Sequence, residues 1–129
     1  MAIGAHIGDM ELTTGGVLAS MSLEGHKIIT VALTSGEKGH PKYQSLEEYR
    51  IQKQQEAKAF TDLLHGISIV LPFDDGTLQV NDEMKFMVAD LIRKHKPDVL
   101  ITHWKQSMHK DHEATHHIEI GRASCRERV

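Results

Sequence analysis

Length, composition and charge restrict the kinds of protein that this chain can be. Its 129 residues suit one domain, and 40% hydrophobic with 26% charged residues is typical of a globular protein in water. The net charge of −3 argues against a general nucleic-acid binder. Because no apolar run reaches the roughly 18–20 residues of a membrane span and no signal-peptide pattern opens the chain, we expect a cytoplasmic protein. Histidine is frequent, at 10 residues, and is the commonest metal ligand in proteins.

Seven elements follow from the apolar patterns along the chain. In chain order they are a strand at 2–5, a helix at 12–23, a strand at 27–33, a helix at 46–64, a strand at 67–71, a helix at 82–95 and a strand at 98–102. Ser45 followed three residues later by Glu48 is a capping-box signature for the second helix, and we expect Pro72 to end the third strand. Since strands alternate with helices, we predict an α/β fold, a Rossmann-like three-layer arrangement with a mostly parallel sheet.

Polar side chains that could bind a metal follow three of the predicted strands. His6 and Asp9 come after the first strand, the loop 34–37 after the second, and His103 with the HKDH segment 109–112 after the last. Because ligands of open α/β sheets bind outside the carboxyl ends of the strands, we expect these groups at one edge. A catalytic zinc site typically has three protein ligands and an open position. His6, Asp9 and one histidine of the HKDH segment could supply that set.

Each motif taken alone also has a plainer interpretation. Asp111 could cap a helix that begins near His112, because surface His and Asp clusters often arise at helix ends. Gly15-Gly16 near a helix start suggests a phosphate- or nucleotide-binding module, although no GxGxxG or P-loop pattern accompanies it. The histidines for which we expect a surface or structural role are His26, His40, His65, His95, His116 and His117.

The motifs in their order are more informative than any one of them. They are AHIGDMELTTGGVLA (5–19), VALTSGEKG (31–39), Arg50, LLHGI (63–67), KPDVLITH (96–103) and HKDH (109–112). From Ala2 to about Ile118 this series resembles the PIG-L/LmbE-type deacetylase family. Members of that family are zinc-dependent hydrolases that remove an acetyl group from N-acetylglucosaminyl substrates and related amides.

The resemblance implies a role for each motif residue. His6, Asp9 and His112 would bind Zn²⁺, although such a ligand set also suits other divalent metals. His109 would be the acid that protonates the leaving amine and stabilises the tetrahedral intermediate, and Asp111 would orient it. Arg50 is a candidate substrate-binding residue. The expected partner is a small amino-sugar or amide substrate, with no nucleic acid and no membrane, and a homo-oligomer of the full-length parent is left open.

Gly8 departs from the family pattern A-H-P-D-D-x-E, which stands here as AHIGDME. The first Asp of that pattern is the family's proposed general base, and a glycine cannot accept a proton. Loss of a general base typically lowers the rate about 10²–10⁴-fold. Three alternatives stay open: Glu11 or Asp75 substitutes as the base, the protein performs different chemistry, or it binds zinc or a sugar without hydrolase activity.

Both ends of the chain differ from the family pattern. The strand at 2–5 is short for a central strand, and family members are commonly about twice as long as this chain, so we expect a partial domain over 1–119 that is incomplete at both ends. Residues 120–129 read IGRASCRERV and match one reading frame of a widely used sequencing adapter. We interpret this segment, which holds the single cysteine Cys125, as non-native sequence.

Overall fold

A computed structural model describes residues 1–123, which form a parallel sheet with helices on both faces. The elements are β1 (Ala2–His6), α1 (Asp9–Leu23), β2 (Ile29–Thr34), a 3-10 turn (Glu37–Gly39), α2 (Leu46–Leu63), β3 (Ile67–Phe73), α3 (Asp82–His95), β4 (Ile101–Thr102) and α4 (Lys110–Ala123). The strands lie in the order β3-β2-β1-β4, and every neighbouring pair is parallel. The predicted α/β, Rossmann-like architecture is confirmed. Within residues 1–123 we find no helix long and apolar enough to cross a bilayer.

Two apolar layers enclose the sheet, because alternate side chains of each strand point to opposite faces. One face of β1 and β2 packs against α3 and α4, in a core that includes Ile3, Val31, Leu33, Val88 and Ile118. The other face packs against α1 and α2, in clusters that include Ala2, Leu18, Ile28, Ala32 and Ala57. Since β1 lies between β2 and β4, the side chains at its carboxyl end occupy the middle of the sheet edge.

The first helix begins earlier than its apolar periodicity predicts. It starts at Asp9, not Leu12, and Gly8 is its N-cap with a φ of 107°, a conformation that L side chains rarely adopt. The Glu11 carboxylate accepts the backbone N–H of Gly8 at 2.9 Å, as in a capping box. Gly4 permits the close approach of this turn to β1, because a Cβ there would lie 3.0 Å from the Asp9 Cβ. The start of α1 therefore lies at the carboxyl edge of the sheet, where β1 ends.

The expectation that Pro72 ends the third strand is wrong, since β3 continues to Phe73. Proline is tolerated there because β3 is an edge strand and because its pairing with β2 is irregular between Ala32 and Thr34. The other strand boundaries shift by a few residues: β1 extends to His6, β2 spans Ile29–Thr34, and β4 comprises only Ile101–Thr102.

The capping-box prediction for the second helix is confirmed. The Ser45 side chain accepts the backbone N–H of Glu48, and the Glu48 carboxylate accepts the backbone N–H of Ser45 at 2.9 Å. In the segment 120–129, residues up to Ala123 belong to α4, whereas 124–129, with Cys125, lie outside the described residues. The interpretation of that segment as adapter-derived stays a prediction.

Candidate metal centre

The site begins where β1 ends and α1 starts. His6 is the last residue of β1 and Asp9 the first residue of α1. The Asp9 carboxylate folds back over the turn, so that its Oδ2 accepts the backbone N–H of His6 at 2.8 Å and lies 3.3 Å from His6 Nδ1. The glycine between them permits the tight turn, and the first two predicted metal ligands are thereby held side by side.

Histidines from distant parts of the chain converge on the same carboxylate. Asp9 Oδ2 lies 3.1 Å from His103 Nε2 and 3.3 Å from His112 Nε2. The His103 and His112 rings stack with their centroids 3.9 Å apart, and the His109 ring lies 4.8 Å from that of His112 and 4.7 Å from that of His6. We refer to Asp9 with these four histidines as the histidine cluster.

Two carboxylates hold the other nitrogen of His6. Its Nε2 lies 3.0 Å from Asp75 Oδ1 and 3.2 Å from Asp111 Oδ2. Asp75 belongs to the loop after β3, while Asp111 is in the first turn of α4, is fully buried, and accepts the Gly76 backbone N–H at 2.6 Å. Because Nε2 can donate its proton to these carboxylates, the neutral ring presents the Nδ1 lone pair to the cluster. Such outer carboxylates fix the tautomer and orientation of metal-binding histidines.

The close carboxylates and imidazoles perturb one another strongly. Burial opposes the charge of His6, but the hydrogen bond and charge of Asp9, with the charges of Asp75 and Asp111, outweigh it and raise the pKa of His6 to about 9. Burial likewise opposes ionisation of Asp9, yet hydrogen bonds from His103 and His6 hold the pKa of Asp9 well below its usual range. Burial lowers the pKa of His112, and the neighbouring histidines act in the same direction.

The donor set fits a divalent cation. Three overlapping groups each bring one ligand atom per residue within 4.8 Å of the others: His6, His109 and His112; Asp9, His103 and His112; and His6, Asp75 and Asp111. Imidazole nitrogen with carboxylate oxygen is a ligand combination that Zn²⁺ and related transition metals accept. In addition, Asp111 Oδ1 is buried without a hydrogen-bond partner among the described residues. The concentration of acceptors at this edge is therefore consistent with a bound cation.

The structure brings the predicted metal ligands and catalytic residues into one place. His6, Asp9 and His112 share the Asp9 oxygen as described, and His109 and Asp111 lie beside them. The link between these last two runs through the backbone, because the Asp111 N–H donates to His109 Nδ1 at 3.2 Å. His103 received no role from the sequence although it follows a predicted strand, because nothing local to it indicated a contact with Asp9, 94 residues away.

Arg50 lies at the rim of this edge and is about one third exposed. Its Nη2 is 3.1 Å from Glu37 Oε1 and 3.8 Å from Asp74 Oδ1, and its Nη1 is 3.5 Å from Glu47 Oε2.

Position 8 offers no carboxylate that could act as a general base, and Glu11 is engaged with the Gly8 backbone as the helix cap. Of the two substitute bases that the sequence suggests, Asp75 is the one whose carboxylate contacts His6.

Some histidines expected to have surface or structural roles make ordinary contacts. His116 Nδ1 hydrogen-bonds the His103 carbonyl at 2.8 Å, and His40 Nδ1 contacts the carbonyls of Pro41 and Gln44. His26 lies 3.7 Å from Glu24 on the surface. His116 thus supports the backbone of the histidine cluster, although its own ring is not among the candidate metal ligands.

Comparisons with known proteins find relatives of this chain in sequence and in fold. In sequence, the chain is 22% identical over 125 residues to 4-oxalmesaconate hydratase of Pseudomonas putida, a match that covers 92% of this chain and 48% of that protein. In structure, it is similar to the N,N'-diacetylchitobiose deacetylase of Pyrococcus horikoshii, with a TM-score of 0.88, 23% identity, and coverage of 95% of this chain and 48% of that one.

It is also similar to the 4-carboxy-2-hydroxymuconate hydratase of Pseudomonas putida KT2440, with a TM-score of 0.86, 20% identity, and coverage of 93% of this chain and 53% of that one. The chain thus spans about half the length of these relatives. The model of the PIG-L family, described as GlcNAc-PI de-N-acetylase, matches residues 1–121. The chain therefore belongs to the PIG-L family.

Proposed function

We propose that the histidine cluster is the metal centre of a Zn²⁺-dependent hydrolase that removes an acetyl group from an N-acetyl amino sugar or a related amide. The observation that carries the proposal is the convergence of His6 and His112 on Asp9 Oδ2, at 3.3 Å each. Membership of a family described by a de-N-acetylase supports the reaction class. The net charge of −3 supports a small-molecule enzyme with no nucleic-acid partner, and a cytoplasmic location is part of the proposal.

The chemistry that we assign to the site divides between the ion and the side chains. A divalent cation held by His6, Asp9 and His112 would polarise the acyl carbonyl and acidify water near it. His109 is exposed beside the cluster, where a substrate can reach it. Since its Nδ1 accepts the Asp111 N–H at 3.2 Å, the neutral ring carries its proton on Nε2, from which a leaving amine can receive it. Arg50, one third exposed at the rim, is the proposed substrate contact.

Gly8 favours a second candidate function. Without a carboxylate at this position, the proposed amide hydrolysis lacks the family's general base. In addition, a relative named as a hydratase aligns with 92% of the chain at 22% identity. A hydratase adds water across a carbon–carbon double bond and releases no acetate. A relative that binds zinc or a sugar without any reaction is the remaining alternative.

Three measurements on the protein, expressed from the longest reading frame that contains the chain, would separate these candidates. Bound zinc is measured by elemental analysis, acetate release is assayed with N-acetyl amino sugars, and hydration is followed as loss of ultraviolet absorbance of a conjugated unsaturated dicarboxylate. Zinc with acetate release supports the deacetylase, and zinc with loss of absorbance supports the hydratase. Zinc with neither supports a binding protein, whereas no zinc above trace would overturn the site assignment.

Gly8→Asp tests whether only the base is absent. If so, acetate release should rise by about 10²-fold or more, the effect of a positioned general base. The substitution also places an L side chain at a φ of 107°, which should lower the free energy of unfolding by about 1–3 kcal/mol. Gly25→Asp is the matched control, because Gly25 has a φ of 86° with open space around it and follows the far end of α1. An unchanged rate in Gly8→Asp would favour the hydratase or binding alternatives.

A further inference from the structure

Glu37 follows β2 at the same sheet edge as the histidine cluster. Its side chain is only 3% exposed, and acidic residues are almost never so buried unless they are paired. Glu37 Oε1 accepts two hydrogen bonds at 3.1 Å, one from Arg50 Nη2 and one from the backbone N–H of Asp75. Burial opposes its ionisation, but these donors hold the pKa of Glu37 below its usual value. A buried, ionised carboxylate thus lies directly behind the site.

Asp75 connects Glu37 to His6. Its backbone N–H is fixed by Glu37, and its Oδ2 accepts the backbone N–H of Lys38 at 3.0 Å. Its remaining oxygen, Oδ1, lies 3.0 Å from His6 Nε2. Both sides of Asp75 are therefore held by the same 3-10 turn, and the free oxygen is aimed at a proposed metal ligand.

The turn that carries Glu37 also packs directly against His6. Gly36 has a φ of 71°, and a Cβ at this position would lie 3.1 Å from the His6 Cβ. On the solvent side, Arg50 spans the turn and the loop after β3, since it contacts both Glu37 and Asp74. The contacts form one chain from Arg50 through Glu37 and Asp75 to His6.

We propose that Glu37 is a positioning residue of the metal centre. It holds Asp75 against His6 Nε2, so that the His6 ring keeps the orientation in which Nδ1 faces Asp9 and, once deprotonated, a bound cation. The effect on metal affinity rests on the proposed function of the histidine cluster. Removal of a partner that orients a metal ligand typically weakens binding 10–100-fold. Because Glu37 acts through Asp75, we expect Glu37→Ala to weaken Zn²⁺ binding on the order of tenfold.

A double-mutant cycle tests whether Glu37 acts through Asp75. Zn²⁺ affinity is measured by competition with a chromophoric chelator for Glu37→Ala, Asp75→Ala and the double variant, with the protein expressed from its full reading frame. Glu37→Ala should weaken binding in the otherwise unchanged protein and have no further effect in Asp75→Ala. Glu47→Ala is the matched control, because Glu47 contacts the same Arg50 from an exposed position and should leave the affinity unchanged. Additive losses, or an equal loss in Glu47→Ala, would overturn the proposal.

A second readout needs no metal and no activity. In the metal-free protein, the Nε2–H of His6 should give an observable imidazole proton resonance because its hydrogen bonds slow exchange with water. That resonance should disappear in Glu37→Ala and persist in Glu47→Ala. Persistence in both variants would contradict the proposed role even if zinc binds.

If Glu37→Ala does not fold, the Zn²⁺ affinities of Glu37→Gln and Glu37→Asp decide, since Gln keeps the Oε1 acceptor and Asp is one methylene shorter. Retained affinity in Gln with loss in Asp supports positioning, and the reverse result overturns it.

Discussion

The proton on His6 determines how the affinity of the site for a metal depends on pH. In the metal-free protein the pKa of His6 is about 9, whereas Asp9 is ionised and the pKa of His112 is lowered. At neutral pH a cation must therefore displace one proton from His6. The apparent affinity for Zn²⁺ should rise about tenfold per pH unit from about pH 7 to 9 and then level off. At about pH 7 the proton weakens binding roughly 100-fold, which is about 3 kcal/mol.

Chelator competition over this range would measure the affinity, and calorimetry in two buffers of different ionisation enthalpy would count the proton released. Asp75→Asn removes a negative charge that faces His6 Nε2, so it should lower the pKa of His6 and move the plateau to lower pH. His117→Gln, at an exposed position on α4, should leave the curve in place. A flat affinity between about pH 7 and 9, with no proton released, would refute the reasoning.

Three further substitutions test the packing and the outer contacts of the site. His103→Ala should weaken Zn²⁺ binding about 10–100-fold in chelator competition, because the Asp9 carboxylate loses a contact at 3.1 Å; an affinity equal to that of His117→Ala would contradict this. Ile118→Ala opens a cavity in a fully buried position between α4 and the sheet and should lower the free energy of unfolding by about 2–5 kcal/mol in denaturant titration. Ser45→Ala removes the N-cap of α2 and should lower the free energy of unfolding by about 1 kcal/mol. Ser20→Ala, at an exposed position within α1, is the comparison.

The fold could be predicted where its signals are local. The start of α2 was correct because Ser45 and Glu48 lie within one turn and cap each other. The predicted start of α1 is too late because apolar spacing begins at Leu12, whereas the helix begins at Asp9, where Glu11 accepts the Gly8 N–H as one half of a capping box without a Ser or Thr. The prediction for Pro72 is wrong because tolerance of a proline depends on β3 being an edge strand of the described sheet, and strand order is a property of the whole sheet.

The candidate site, like the fold, could be predicted from the sequence only where its signals are local. His6, Asp9 and the HKDH segment form short motifs, so the sequence could nominate them, and parallel topology explains why they meet. His103 ends the motif KPDVLITH, but nothing in that motif indicates its contact with Asp9, and the contact of Asp75 with His6 likewise joins residues far apart in sequence. Glu37 was visible only as part of a polar loop. Its burial and its hydrogen bond to the Asp75 backbone depend on how two loops pack, which no local pattern determines.

The position of β4 beside β1 has a consequence for biosynthesis. The Met1 carbonyl accepts the Ile101 N–H at 3.0 Å, and His6 meets Asp111 across a separation of 105 residues. During synthesis, β1 therefore leaves the ribosome long before β4 and α4, which pack beside it, have been made. Pairing over such distances forms late and slowly, since long loops must close first. Metal uptake by this cluster would accordingly wait until α4 has been made, and early zinc would encounter only the half-site of His6 and Asp9.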